Sequence, residues 1–239
     1  MTHKPHLVLL PGLMCNDVSW QPVLDQLHAH ATCQLIDHGN ANTLVQMAEH
    51  VSKVAPPQFC MAGHSMGGRV ALQVCRLVPH RIQKLALMGT GYHALPAGQE
   101  GIDEKNKRQS FLDLAQTKGV RRLAIAWVQG MVSPEHLKDA ALIERIVQMF
   151  ETKSADIYGY QVNALLTRPD ATDVLKNLNM PTCVVTGEFD SWATPEQHQE
   201  ICDLIPSKPQ LNVIKDSGHM MMMENPQGTL DVLVKWLRG

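Results

Sequence analysis

The run Gly63-His64-Ser65-Met66-Gly67-Gly68 sets a serine between glycines at G-x-S-x-G spacing. As a bare pattern this is weak. Its context strengthens it, because an apolar stretch that reads as a strand (58–63) precedes it. A stretch with Val70, Leu72, Val74 and Leu77 that reads as a helix (66–78) follows it. A strand turning directly into a helix exposes the serine hydroxyl, and glycines are needed where side chains would collide across the turn. A hydroxyl is a poor nucleophile until a base takes its proton. Of the twelve histidines, His219 is the candidate base, since it ends Asp216-Ser217-Gly218-His219 just after a predicted strand. Asp190, at the end of Val184-Val185-Thr186-Gly187-Glu188-Phe189-Asp190, is the candidate acid that would orient the imidazole. Glu188, two residues earlier, is the rival to Asp190, and Asp216 lies too close to His219 in sequence. Serine, acid, histidine is also a known chain order for such a set. An oxyanion needs donors. The Met66 N–H at a helix start is one, and the Leu13 N–H is expected as the second, with Met14 the alternative.

These residues must be held by a scaffold. Short apolar runs at 7–10, 32–36, 58–63, 82–88, 181–187 and 210–215 read as strands. Between them lie helical patterns: one capped by Ser19, one over 43–54, one over 66–78, and others at 195–204 and 229–237. Strand and helix in alternation predict a parallel sheet covered on both faces. The alternation breaks over 92–179, where only helical periodicity is found, with Ser133-Pro134 as a helix start. This block reads as an all-helical insertion.

With 239 residues, 44% hydrophobic and 18% charged, the chain has an ordinary globular composition and can bury a core without metal or disulfide. Its 21 basic and 23 acidic residues leave a net charge of −2 with no basic run, so no nucleic-acid partner is expected. The six cysteines form no C-x-x-C pair and are expected to be buried free thiols. No Cys/His spacing suggests a metal. No stretch is long enough to span a bilayer, and the N-terminus lacks a signal h-region; a cytoplasmic protein is expected.

Leu-Leu-Pro-Gly (9–12), Gly-His-Ser-Met-Gly-Gly (63–68), Gly-Glu-Phe-Asp (187–190), and Ser-Gly-His with the later Glu-Asn-Pro (217–226) together resemble the α/β-hydrolase superfamily. Within it the chain looks like small esterase-like members, distantly similar to pimeloyl-ACP methyl ester esterases and 3-oxoadipate enol-lactonases. The resemblance implies an α/β-hydrolase fold with a mostly parallel sheet and helices on both faces. Few residues precede the first strand, so about six strands are expected. It further implies a core of 1–91 and 180–239 under a helical cap of 92–179, an ester-type substrate, a covalent acyl-enzyme on Ser65 and no cofactor. Many relatives carry His-Gly where this chain has Pro11-Gly12.

Pocket walls are expected from Trp127, Met131, Tyr158 and Tyr160 of the cap, with Leu13, Trp192 and Met220 from the core. They would suit small to medium carboxylic esters. The leading expectation is a serine carboxylesterase acting on a small-molecule ester. A hydrolase of lactones, thioesters or carbon–carbon bonds, or a cofactor-free perhydrolase, would use the same residues. A ligand-binding module with a nearly inactive triad is the non-enzymatic alternative.

Overall fold

The computed structural model describes residues 4–239; Met1, Thr2 and His3, the start of the expected core segment 1–91, lie outside the described residues. Six strands form one sheet: β1 His6–Leu10, β2 Thr32–Leu35, β3 Phe59–His64, β4 Ile82–Met88, β5 Thr182–Gly187 and β6 Leu211–Ile214. Their order is β2-β1-β3-β4-β5-β6, and every neighbouring pair is parallel. The expected number and direction of strands are therefore found.

Period-2 alternation divides each strand between two cores. In β1, Val8 and Leu10 join one apolar cluster, while Leu7 and Leu9 join the other. In β4, Leu85 and Leu87 face the first, and Ala86 and Met88 face the second. The first face is covered by α2 Leu44–Val54, α3 Met66–Leu77 and α9 Pro195–Leu204. The second is covered by α1 Gln21–Leu27, α10 Met221–Glu224 and α11 Pro226–Arg238. The central strands β1, β3, β4 and β5 are buried on both faces along most of their length, which is why they read as continuous apolar runs, while the edge strands β2 and β6 are only partly covered.

Five helices stand between β4 and β5: α4 Gln99–Lys118, α5 Val120–Val128, α6 Ala140–Glu151, α7 Ala155–Leu166 and α8 Thr172–Lys176. Helices α4 to α7 pack on one another, while α8 packs against α3 and α9.

Two helix starts differ from expectation. Ser19 is buried in a short 3-10 turn, where its Oγ donates to the Asn16 carbonyl; Asn16 supplies the cap, and α1 begins only at Gln21. Ser133 precedes only a single 3-10 turn, where its Oγ accepts from the His136 amide at 3.4 Å. The long helix after it starts at Ala140, where the Asp139 carboxylate accepts from the amides of Ala141 and Leu142 at 3.0 Å. In both places an Asx side chain satisfies helix-start amides that a serine does not reach.

Candidate active site

Strand order reverses between β1 and β3, and ligands in open α/β sheets bind beyond the C-terminal ends of strands at such a switch. Leu13 follows β1, Ser65 follows β3, Asp190 follows β5 and His219 follows β6. The chain thus brings four distant loops to one edge.

Ser65 sits between β3 and α3 with φ 56° and ψ −119°, a conformation that non-glycine residues rarely adopt. Such strain costs about 1–3 kcal/mol and persists only when its surroundings hold it. Here the Ser65 N–H donates to the Met88 carbonyl at 2.9 Å, and the Ser65 carbonyl accepts from Thr90 Oγ1 at 2.7 Å and Gly68 N at 3.0 Å. The two glycines of the pattern are there for close approach. A Cβ on Gly63 would strike the Gly67 carbonyl, and one on Gly67 would strike the Leu10 carbonyl.

The three expected polar side chains form a continuous chain. Ser65 Oγ lies 2.8 Å from His219 Nε2, and His219 Nδ1 lies 2.7 Å from Asp190 Oδ2. A carboxylate only accepts, so Nδ1 carries the proton and Nε2 presents a lone pair to the hydroxyl. Burial raises Asp190, but the charge and hydrogen bond of His219, with the amides of Ala193 and Trp192, outweigh it. The carboxyl therefore lies below its ordinary value and stays ionised. Glu188, which lies past the end of β5, instead meets Lys215 at 2.8 Å and is turned away from the histidine.

A second carboxylate braces the histidine loop. The Glu224 side chain is fully buried and accepts from the amides of Gly218 (2.9 Å), Met220 (3.0 Å) and Ser133 (2.7 Å). His136 Nδ1 lies 3.1 Å from its Oε2. The His219 N–H donates to the Met131 carbonyl at 2.7 Å, which ties the loop to the segment after α5. His64 Nε2 lies 2.8 Å from the His219 carbonyl and must donate to it; burial drives the His64 pKa down to about 3, so its ring is neutral. Sequence reasoning quoted Glu224 in Glu-Asn-Pro without assigning it a role. A glutamate in an otherwise apolar run, Met220 to Met223, was the signal that could have found it.

The two expected oxyanion donors border the cavity, and neither the Leu13 nor the Met66 amide is used in a hydrogen bond within the protein. The alternative, Met14, donates its amide to Gln161 Oε1 at 2.7 Å and is occupied.

The cavity over Ser65 has a volume of about 250 Å³. That is small for a ligand pocket. Leu13, Trp127, Met131, Tyr158 and Trp192 line it as expected. Tyr160 does not: it lies two residues from Tyr158 on α7, about 200° around the helix, and is 40% exposed. Met220 does not line it either; it is fully buried beside the histidine, within the core under α10. Sequence reasoning missed Phe111 and Phe150, which complete the apolar wall, and Arg69, Glu104, Lys107 and Arg108, which form a charged one. Cys15 also borders the cavity, but burial pushes its thiol up to about 12, so it offers no thiolate. All six cysteines are free, and Cys33 alone among them is only half-buried.

Among the described residues no helix is long and apolar enough to cross a membrane. None of them form a cluster of three or more His, Cys, Asp or Glu that could hold a metal.

Comparisons with known proteins bear on the family and the fold. A family model described as alpha/beta hydrolase fold matches residues 48–226. The pimeloyl-[acyl-carrier protein] methyl ester esterase of Salmonella newport is 26% identical, over 96% of this chain and 92% of that protein. Among solved structures, an esterase from Thermogutta terrifontis, crystallised with malate bound, superposes with a TM-score of 0.85. It is 24% identical and covers 99% of this chain and 90% of its own. The enol-lactonase of Burkholderia xenovorans gives a TM-score of 0.84 at 18% identity, covering 99% of this chain and 92% of its own.

Proposed function

Since the chain belongs to the α/β-hydrolase fold family, we propose that it is a serine carboxylesterase that hydrolyses small to medium esters through an acyl-enzyme on Ser65. The observation that carries this reading is the unbroken line of hydrogen bonds from Asp190 through His219 to Ser65. The similarity to a methyl ester esterase along nearly the whole chain supports the bond class.

The chemistry follows from the atoms. His219 Nε2 takes the Ser65 proton as Oγ attacks the ester carbonyl, and Asp190 stabilises the imidazolium without taking the proton. The carbonyl oxygen becomes an anion and turns to the Leu13 and Met66 amides, the second of which begins α3 with its favourable dipole. His219 then protonates the departing alkoxide. In the second half a water takes the place of the alcohol and attacks the acyl carbonyl as His219 removes its proton, and His219 returns that proton to Ser65 Oγ as the acid leaves. The mostly apolar cavity keeps bulk water from the charged steps. Residues 92–179 act as the cap that shapes this cavity.

Hydrolysis of p-nitrophenyl butyrate tests the reading. Ser65→Ala should lower kcat by more than about a thousandfold, with the fold intact by circular dichroism. Full activity in Ser65→Ala would sink it.

A further inference from the structure

The charged wall of the cavity has no use in the chemistry above. Arg69 stands one turn after Ser65 on α3, and Lys107 and Arg108 come from α4. One carboxylate lies among these three cations, that of Glu104, and it is already engaged. Its oxygens accept from Arg168 Nη1 and Nη2, each at 2.8 Å, and from Arg108 Nε at 2.9 Å. Arg69 forms no ion pair, the Glu104 carboxylate acting on it only at longer range; it donates to the His93 carbonyl at 2.8 Å. Burial and the nearby Arg168 pull its pKa down to about 9, still above neutral, so it remains a cation short of a counter-ion.

A second observation lies on the neighbouring wall. The Tyr158 hydroxyl is fully buried and has no hydrogen-bond partner, and Tyr158 is among the residues that line the cavity. Buried hydroxyls are rarely left unpaired without a ligand or water to meet them. A spare guanidinium, a second partly free one, an exposed ammonium and an orphaned hydroxyl border the same small cavity as the nucleophile.

We propose that this wall is a recognition subsite for a carboxylate, so that the substrates this enzyme prefers are esters bearing a free carboxyl group. The planar fork of Arg69 matches a carboxylate, and Tyr158 donates a further hydrogen bond. The subsite deepens the esterase reading, yet its binding can be measured without turnover.

The test is isothermal titration calorimetry of Ser65→Ala with monomethyl glutarate against dimethyl glutarate, the carboxylate being on the acyl side. The pair 4-acetoxybutanoate and methyl 4-acetoxybutanoate places it on the alcohol side. At least one anion should bind about tenfold more tightly than its neutral partner, as a charge-assisted pair requires. The advantage should shrink as salt rises from 0.05 to 0.5 M (on the order of the range where screening lengths collapse). It should vanish in Arg69→Gln and weaken in Tyr158→Phe, whose smaller change guards against a misfolded arginine variant. Equal binding of anion and neutral ester in both pairs, or a preference that neither salt nor these substitutions diminish, overturns the proposal. Turnover of p-nitrophenyl butyrate by the unsubstituted enzyme is read separately. Failure of the hydrolase reading is thereby told apart from failure of the subsite.

Discussion

Glu224→Gln isolates what the buried carboxylate does for the histidine loop. Glutamine keeps the shape and, placed with its carbonyl at the Oε1 position, keeps the bonds from Gly218 and Met220. Its NH2 then faces the Ser133 amide, a donor against a donor at a site where the carboxylate accepts at 2.7 Å. One buried amide left unsatisfied costs about 1–3 kcal/mol. For a chain of this length each kcal/mol lowers Tm by about 2–4 °C, so a fall of about 2–12 °C is expected. The catalytic cost comes by another route. The donor–donor clash at Ser133 pushes aside the side chain on which the Gly218 and Met220 amides hang, and since these two residues flank His219, the imidazole loses its fixed height above Ser65. A misplacement of about 1 Å can cost about a hundredfold. The expected result is a kcat for p-nitrophenyl butyrate lowered about ten- to a hundredfold with KM changed less than about threefold, because no cavity wall is altered. Differential scanning fluorimetry and steady-state kinetics on the same preparation read both effects. A variant with a lowered Tm but unchanged kcat would refute the positioning argument and leave Glu224 a purely structural residue.

Other perturbations follow from the same geometry. Gly67→Ala should abolish soluble folded protein or lower Tm by more than about 6 °C, since its Cβ meets backbone of β1 that cannot move aside; a wild-type melt would contradict this. Ser65→Gly should lose all activity while raising Tm by a few degrees, because about 1–3 kcal/mol of strain at φ 56° is relieved and partly offset by chain entropy; a lowered Tm would count against stored strain. His64 is held neutral by burial, with a pKa near 3 in the fold against about 6.5 unfolded. Between those values the unfolded chain binds the extra proton, so stability falls as pH drops through this window, by up to about 1.4 kcal/mol per pH unit for this group. His38 and His198, also depressed by burial, act in the same direction. Urea unfolding from pH 7 to 4.5 should show a slope flattened by about one proton in His64→Gln, and an unchanged slope would rule the histidine out.

Much of the scaffold was legible because two periodicities were clean. The strand at 82–88 and the helix at 195–204 are found where the pattern put them. The elbow was legible because its glycines answer to backbone collisions that no larger residue survives. Helix starts were less so. Ser19 and Ser133 compete with Asn16 and Asp139 a few residues away, and only the fold decides which side chain reaches the free amides. Along α7, Tyr158 and Tyr160 look equivalent as aromatic residues and are separated only by helix phase. The charged wall was hidden for a different reason. Helix α4 is polar nearly all round, so Lys107 and Arg108 read as solvated surface until α3 and α7 bring Arg69 and Tyr158 beside them.

The most direct test of the central claim is active-site labelling. The purified protein would be treated with a fluorophosphonate probe and the modified peptide found by mass spectrometry. The account predicts a single adduct on Ser65 that disappears in His219→Ala. A folded protein that takes up no probe, or takes it up elsewhere with Ser65 untouched, would contradict it.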